Sequence, residues 1–336
     1  MAKVDIVIPC YNYGRFLEQC VRSVLAQSVR DLRVLVIDDA SADESVAVAE
    51  RLASEDSRVA LVAHRVNKGH IDTYNEGIEW ASSEYFLLLS ADDMLAPGAL
   101  ERAVEVMDAN PDIVLTYGDF VNWRDTTPLP VLPPLAGYSW ARHELLLAMC
   151  HSAGNPVPTP TAIVRTSAQK AVGGYRKSLP HAGDMEMWLR FAANGAVARI
   201  DAIQAIYRRH TAAMSNAYFA QMVRDYRQRQ LAFDFFFEEY GGGLPDSRIL
   251  LRAAHLGLAT DVVSHSVRLM RKGQVKDGFA LMRYAMSLDP RVCYRLPLWS
   301  LLKPPGPEGR SRLMAMTRDV ATRLSSFGGG AVRSPR

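Results

Sequence analysis

Apolar positions in the first 120 residues follow two alternating patterns. Short continuous runs occur at Val4–Pro9, Arg33–Ile37, Val59–Ala63, Tyr85–Leu89 and Ile113–Tyr117. Runs this short, bounded by turn residues and rich in aliphatic or aromatic side chains, predict buried strands. Between them lie stretches of helical spacing: Arg15–Gln27, with Phe16, Cys20, Val24 and Leu25 on one face, then Glu44–Ser54, His70–Trp80 and Pro97–Asp108. Ser41 or Asp43 stands where a cap for the second helix is needed. The β–α–β–α order predicts an α/β fold, a mostly parallel sheet with helices on both faces.

The pattern then changes twice. Residues Thr126–Gly137 are proline-rich and read as a long loop, and Asn155–Pro160 carries three prolines. Such segments suit an acceptor-side region or a lid. Thr161–Arg165 and Ile203–Tyr207 predict further strands, and Asp184–Asn194 a helix with Met187, Trp188, Phe191 and Ala192 on one face. From about Tyr218 the chain reads as amphipathic helices: Phe219–Tyr240, Ser247–Leu258, Asp261–Arg271 and Val275–Ser287. The predicted layout is a domain over 1–216, split into 1–120 and 121–216, then a helical region over 217–324 and a disordered tail over 325–336.

Composition narrows the class. The chain has 336 residues, 49% hydrophobic and 22% charged, with a net charge of +3. This is the balance of a globular protein, and its mild basicity suits anionic ligands without implying nucleic acid. The four cysteines form no CxxC pair, so neither a zinc site nor a redox motif is expected. An acid within the first apolar run is wrong for a signal peptide, and no run approaches the ~20 residues that span a bilayer. A cytoplasmic location is the expectation. Beyond Pro290 arginines are interleaved with Leu296, Leu298, Trp299, Leu301 and Leu302. A packed terminal helix with a solvated basic face is the favoured reading there, with peripheral contact to an anionic membrane kept as the alternative.

The candidate chemistry lies at strand ends. Tyr85–Leu89 stops at Ser90-Ala91-Asp92-Asp93, the second strand at Asp38-Asp39, and the first at Pro9-Cys10-Tyr11-Asn12. Two ionised aspartates cannot follow a buried strand into the core without partners. In a parallel sheet the three ends share one edge, the edge where ligands bind. Hard oxygen ligands there suit Mg2+ or Mn2+ held jointly with a phosphate-bearing substrate. Tyr11 can stack on a base, Asp38 can accept from a base or ribose, and Asp93 can hold a cation against a diphosphate. The plainer alternatives are helix caps for the aspartates and for Asp184, a packed turn for Tyr11 and a simple turn for Asn67-Lys68-Gly69. Lys68, if part of a site, would approach phosphate. Arg208 and Arg209 read as solvated or as paired with a diphosphate.

Together the strings Val7-Ile8-Pro9-Cys10-Tyr11-Asn12, Val36-Ile37-Asp38-Asp39-Ala40-Ser41-Ala42-Asp43, Asn67-Lys68-Gly69 and Ser90-Ala91-Asp92-Asp93 resemble family 2 glycosyltransferases of the GT-A fold. Val172-Gly173-Gly174-Tyr175, Asp184 to Arg190, and Tyr207-Arg208-Arg209-His210 are similar to that family's acceptor-side and closing segments, so the likeness covers roughly residues 3–216. The resemblance implies a GT-A-like, Rossmann-type sheet and an inverting, metal-dependent transferase using a nucleotide-diphosphate-sugar, a UDP-sugar favoured. Pro9, Tyr11, Asn12, Asp38 and Lys68 would bind the nucleotide-sugar and Asp92 the ribose or sugar. Asp93 and His210 would serve Mn2+ or Mg2+, and Asp184 would be the catalytic base. Two positions depart from the pattern: Ser90 replaces a frequent acid, and Gly183 precedes Asp184 where a glutamate is common.

Other functions fit less well. A nucleotidyltransferase would want a glycine-rich phosphate loop after the first strand, and a dehydrogenase GxGxxG; Tyr11-Asn12-Tyr13-Gly14-Arg15 supplies neither. A non-catalytic nucleotide-sugar binder or scaffold acting through the helical tail is the alternative class. Expected partners are a nucleotide-sugar and a saccharide, lipid-linked or small-molecule acceptor, with no nucleic acid; self-association is left open.

Overall fold

A computed structural model describes residues 2–124, 127–130, 132, 137–211 and 222–295. The chain divides into two units, the first of residues 1–142 and 156–217, the second of residues 143–155 and 218–336.

In the first unit β1 (Val4–Cys10), α1 (Gly14–Leu25), β2 (Leu32–Asp38), α2 (Ser45–Glu55), β3 (Val59–Ala63), α3 (His70–Trp80) and β4 (Tyr85–Leu88) follow the predicted alternation. β5 (Met94–Leu95), α4 (Ala99–Ala109), β6 (Ile113–Trp123) and β7 (Tyr138–Arg142) come next. After residue 156 the unit adds a 3-10 turn at Thr159–Thr161, β8 (Ile163–Arg165), α6 (Thr166–Val172), α7 (Gly183–Asn194) and β9 (Ala196–Arg208).

The sheet order is β3-β2-β1-β4-β8-β6-β9-β5, with β7 also on β9. Strands β3, β2, β1 and β4 are parallel neighbours, and β6 runs parallel to β9. β8 is antiparallel to both β4 and β6, and β5 and β7 are antiparallel to β9. The expectation of a mostly parallel sheet therefore holds for the first half only, and the whole sheet is mixed. The β–α alternation dictates parallel crossovers as far as β4, whereas three-residue β8 and two-residue β5 carry no directional signal.

β6 and β9 are both longer than predicted. β9 alternates buried and half-buried positions from Ala198 to Gln204, and β6 is mostly half-buried from Asp119 to Val121, patterns that a search for continuous apolar runs passes over. Gly118 sits at a register shift between them. A Cβ there would come 2.6–2.9 Å from Gln204 and the carbonyls of Ile200 and Ala202, so only glycine fits this approach.

The main core lies between the sheet and α1, α2 and α4. On α1 Phe16, Leu17, Cys20, Val21 and Val24 are buried, one continuous helical stripe. At the opposite end of the sheet from the candidate site, buried Asp5 accepts from Arg33 Nε and Nη2, the Ser82 and Ser83 amides and Ser83 Oγ at 2.6–2.8 Å. Burial opposes ionisation of Asp5, but Arg33, Ser83 and the amides outweigh it and hold its carboxyl below the usual value.

The second unit comprises α5 (Glu144–Ser152), α8 (Met222–Tyr240), α9 (Ser247–Arg271), α10 (Val275–Leu288) and a 3-10 turn at Pro290–Arg295. The two helices expected over Ser247–Leu258 and Asp261–Arg271 are one. Ala259-Thr260 contains no breaker, and Thr260 Oγ1 donates to the carbonyl of Leu256 within the continuous helix. The start expected at Phe219 and the tail beyond residue 295, including residues 325–336, lie outside the described residues.

Candidate active site

The order β3-β2-β1-β4 sets the carboxyl ends of β2, β1 and β4 side by side, with Cys10 opposite Asp38 in register. Chain direction outward from β1 reverses between its two neighbours, the switch point where open α/β sheets bind ligands.

At the end of β1, Pro9 is half-buried within the strand and Tyr11 is exposed. Asn12 has φ 56°, a left-handed conformation asparagine tolerates. Its amide donates to Ser41 Oγ (2.9 Å) and its Oδ1 accepts from the Ala42 amide (2.8 Å). Asn12 thus clamps the β1 loop to the β2 loop, leaving the Tyr11 ring facing solvent. Asp43 completes the clamp by accepting from the Gly14 and Ser45 amides, each at 3.0 Å.

At the end of β2 the two aspartates divide their work. Asp38 is buried; its Oδ2 accepts from the Ser41 amide at 2.9 Å, while its Oδ1 meets no donor among the described residues. A buried acceptor without a donor costs about 1–3 kcal/mol, which a bound N–H or O–H recovers. Asp39 accepts from the Lys68 and Gly69 amides (2.7 and 2.9 Å) and bonds His64 Nδ1 (2.8 Å). Burial raises the Asp39 carboxyl, but His64 and the two amides outweigh it and hold it below its ordinary value. Glu76 Oε2 in turn meets both His64 Nε2 (3.0 Å) and Lys68 Nζ (2.8 Å). The sequence signal for this group is only the surplus of acid after β2; nothing in it pairs Asp39 with His64. Lys68 itself is held by Glu76 rather than standing free.

Beyond β4 the turn at Ser90–Asp93 buries both aspartates. Asp92 Oδ2 bonds His210 Nε2 (3.0 Å), and Asp93 Oδ1 accepts from the Arg208 amide (3.0 Å). Burial, then the neighbouring Asp92, push the Asp93 carboxyl well above its usual range, with Arg208 and Arg209 opposing. His210 packs edge-on to Tyr13 and against Phe16, with ring centroids 5.5 and 4.6 Å away. Residues at the end of β9 thus meet the turn that follows β4.

Arg208 is not solvated, which corrects one of the two readings from sequence. Its side chain is buried, with the guanidinium 4.6 Å from the Phe16 ring and 4.7 Å from the Trp123 ring. Nε donates to the Asp92 carbonyl (2.9 Å) and Nη2 to Gln19 Oε1 (2.6 Å). A strand-end Arg-Arg-His gives no hint that the first arginine turns inward between two rings.

Asp184 opens α7. Its Oδ1 accepts from the Met185 amide (2.8 Å) and its Oδ2 from Thr159 Oγ1 (2.9 Å). The Thr159–Thr161 turn packs against β4 and β5, and β5 directly follows Asp93. This links the Asp184 shell to the Asp92–Asp93 turn through one intervening element. Glu186 is fully buried between Arg176 and Arg190, so Asp184 is the carboxylate left at this helix start.

Among the described residues no three His, Cys, Asp or Glu side chains gather into a metal-binding cluster. The carboxylates of Asp92 and Asp93 nonetheless match the hard-oxygen chemistry of Mg2+ or Mn2+, which commonly takes one or two carboxylates and completes its shell with phosphate oxygens and water. The donor set fits a cation arriving with a diphosphate, not one held by protein alone.

A GT-A-type α/β fold with carboxylates gathered at its switch-point edge is thus defined by fold and site together. Residues 5–153 match the family description "Glycosyl transferase family 2". An uncharacterized glycosyltransferase of Haemophilus influenzae is 24% identical over 222 residues, covering 64% of this chain and 68% of that protein. Glycosyltransferase GlyG of Streptococcus pneumoniae is 30% identical over 125 residues, 37% of this chain and 40% of that protein. The chain thus spans less than half the length of the latter relative. Among solved structures, TarS 1-349 of S. aureus in complex with UDP-GlcNAc superposes with a TM-score of 0.60 at 17% identity, over 98% of this chain and 93% of that one. A mannosyltransferase of Pyrobaculum calidifontis in complex with GDP-Man and Mn2+ gives 0.58 at 16% identity, over 98% and 88%. Both likenesses concern the fold.

Proposed function

We propose that the protein transfers a sugar, with inversion, from a nucleotide-diphosphate-sugar to an acceptor hydroxyl in polysaccharide, glycolipid or glycosylated-metabolite biosynthesis. The observation that carries this reading is the convergence of Tyr11, Asp38 Oδ1 (without a donor among the described residues) and the Asp92–Asp93 turn with His210 on one sheet edge. Tyr11 offers a face for a base, and Asp38 an acceptor for a base or ribose hydrogen. Asp93, with Asp92 and His210 beside it, is the group to receive a divalent cation together with the diphosphate. The cation would neutralise charge on the leaving diphosphate. UDP-sugars are the favoured donors.

Asp184 is the proposed base. Ionised, it removes the acceptor proton as that oxygen attacks the anomeric carbon. Thr159 orients the carboxylate through Oδ2. The Asp39–His64–Glu76–Lys68 group holds the 67–69 loop beside the nucleotide end, with the Lys68 ammonium able to exchange Glu76 for phosphate. The test is turnover of UDP-, GDP- and dTDP-sugars with and without Mn2+. Asp184→Asn should lower transfer by about 10²–10⁴-fold while leaving donor affinity nearly unchanged. Full activity in that variant would remove Asp184 from the chemistry.

A further inference from the structure

We propose that α10 is a docking surface for an anionic lipid membrane. Its inner face carries Gly278, Leu281 and Ala285, all buried. These residues let it lie close on α9: Ser266 Oγ donates to the Gly278 carbonyl at 2.6 Å, and a Cβ on Gly278 would come 2.5 Å from Met270 Cγ. A second apolar stripe is left outside that contact. Phe279 is 64% exposed, Val275 48% and Met286 41%. At about 100° per residue these three fall within about 40° of one another, and Val275 to Met286 spans about 16 Å. A large aromatic exposed to this degree beside two more apolar side chains marks an interaction site rather than ordinary surface.

Charge selects the occupant. Lys276 and Arg283 lie along one edge of the stripe, about 40–60° from Phe279. Arg268, Arg271 and Lys272, at the end of α9 and the turn before α10, are exposed too. Between residues 268 and 288 the only acid is Asp277, which the helical spacing turns to the far side from Phe279. Arg291 does not add to the field, because Asp289 takes its Nε and Nη2. An apolar stripe edged with cations and without acids is complementary to an anionic headgroup layer, with the apolar chains entering the acyl boundary. It is a poor match for a second copy of itself, which would set cation against cation. No described helix is long and apolar enough to cross a membrane, so the contact would lie in the surface plane. This inference rests on the second unit and is independent of the transferase reading.

The test is co-sedimentation of the full chain with vesicles of phosphatidylcholine alone or mixed with phosphatidylglycerol. Binding is expected to the mixed vesicles, and to weaken with added salt. Reversing two edge charges, Lys276→Glu with Arg283→Glu, should weaken it at least about tenfold. Phe279→Ser with Met286→Ser should do the same with no loss of melting temperature. The emission of Phe279→Trp minus that of the parent, which has five tryptophans, isolates the introduced indole: this difference should shift to the blue on anionic vesicles and be quenched by brominated lipid. No binding to anionic vesicles at low salt would overturn the proposal. So would unchanged binding in both double variants, which would move the contact elsewhere on the chain. An emission shift in Phe279→Trp that responds to protein concentration and not to lipid would assign the stripe to self-association instead.

Discussion

Replacing Arg208 by lysine keeps the charge and removes the shape, and the structure sets the cost. The guanidinium lies between the Phe16 and Trp123 rings, donates to the Asp92 carbonyl and to Gln19, and is 1% exposed. A desolvated cation–ring contact is worth about 2 kcal/mol, and each hydrogen bond from a charged donor about 1.5–3 kcal/mol. A lysine ammonium cannot stack flat between two rings while reaching both acceptors, and it is the more strongly hydrated ion to bury. These contributions are not additive; the net loss expected for disrupting a buried charged group is about 3–5 kcal/mol. For a unit of this size that lowers the melting temperature by about 10 °C. Thermal unfolding followed by calorimetry and by tryptophan fluorescence measures it. A double-mutant cycle with Trp123→Leu should give a coupling of about 0.5–2 kcal/mol. Arg208→Lys melting within about 2 °C of the parent, or additive effects in the cycle, would refute the sandwiched-guanidinium account.

Two further predictions concern the Asp5 and Asp39 networks. Asp5→Ala strands the buried Ser83 donors and should cost about 3 kcal/mol near neutral pH, read from chemical denaturation. Because the folded-state value of Asp5 lies below its ordinary 3.8, its contribution is full above that value and is lost as pH falls through the folded value. The gap between parent and variant should therefore narrow in acid, and a gap that widens there contradicts the assignment. His64→Ala breaks the link between Asp39 and Glu76 and loosens the 67–69 loop. It should raise the donor KM by about 5–20-fold with kcat changed far less, measured by steady-state turnover; an equal fall in kcat with KM unchanged would place His64 in the chemistry instead.

The parts of the fold legible in the sequence are those in which one physical signal dominates. Buried parallel strands are continuous apolar runs, so β1 to β4 and their helices emerge nearly to the residue. β7, with exposed Tyr138 and Trp140, has no such run, and its place on β9 comes from tertiary pairing alone. The site divides in the same way. Asp92, Asp93 and Asp38 stand out because charge at the end of a buried strand demands a reason. His64 lies 25 positions from Asp39 and 12 from Glu76, and the three meet only when β2, β3 and α3 are assembled. Asn12, expected from the resemblance to contact ligand, makes a loop-holding bond on each side, a role set by a left-handed turn that sequence spacing does not reveal.

The central claim is that the edge formed by Tyr11, Asp38 and Asp93 takes a nucleotide-diphosphate-sugar together with a divalent cation. Isothermal titration of the intact protein with UDP-, GDP- and dTDP-sugars, with and without Mn2+, tests it most directly. The account predicts that one donor binds, that binding strengthens at least about tenfold with Mn2+, and that Asp93→Asn abolishes the metal increment while the protein stays folded. Absence of donor binding with or without metal, or a metal increment untouched in Asp93→Asn, would contradict it.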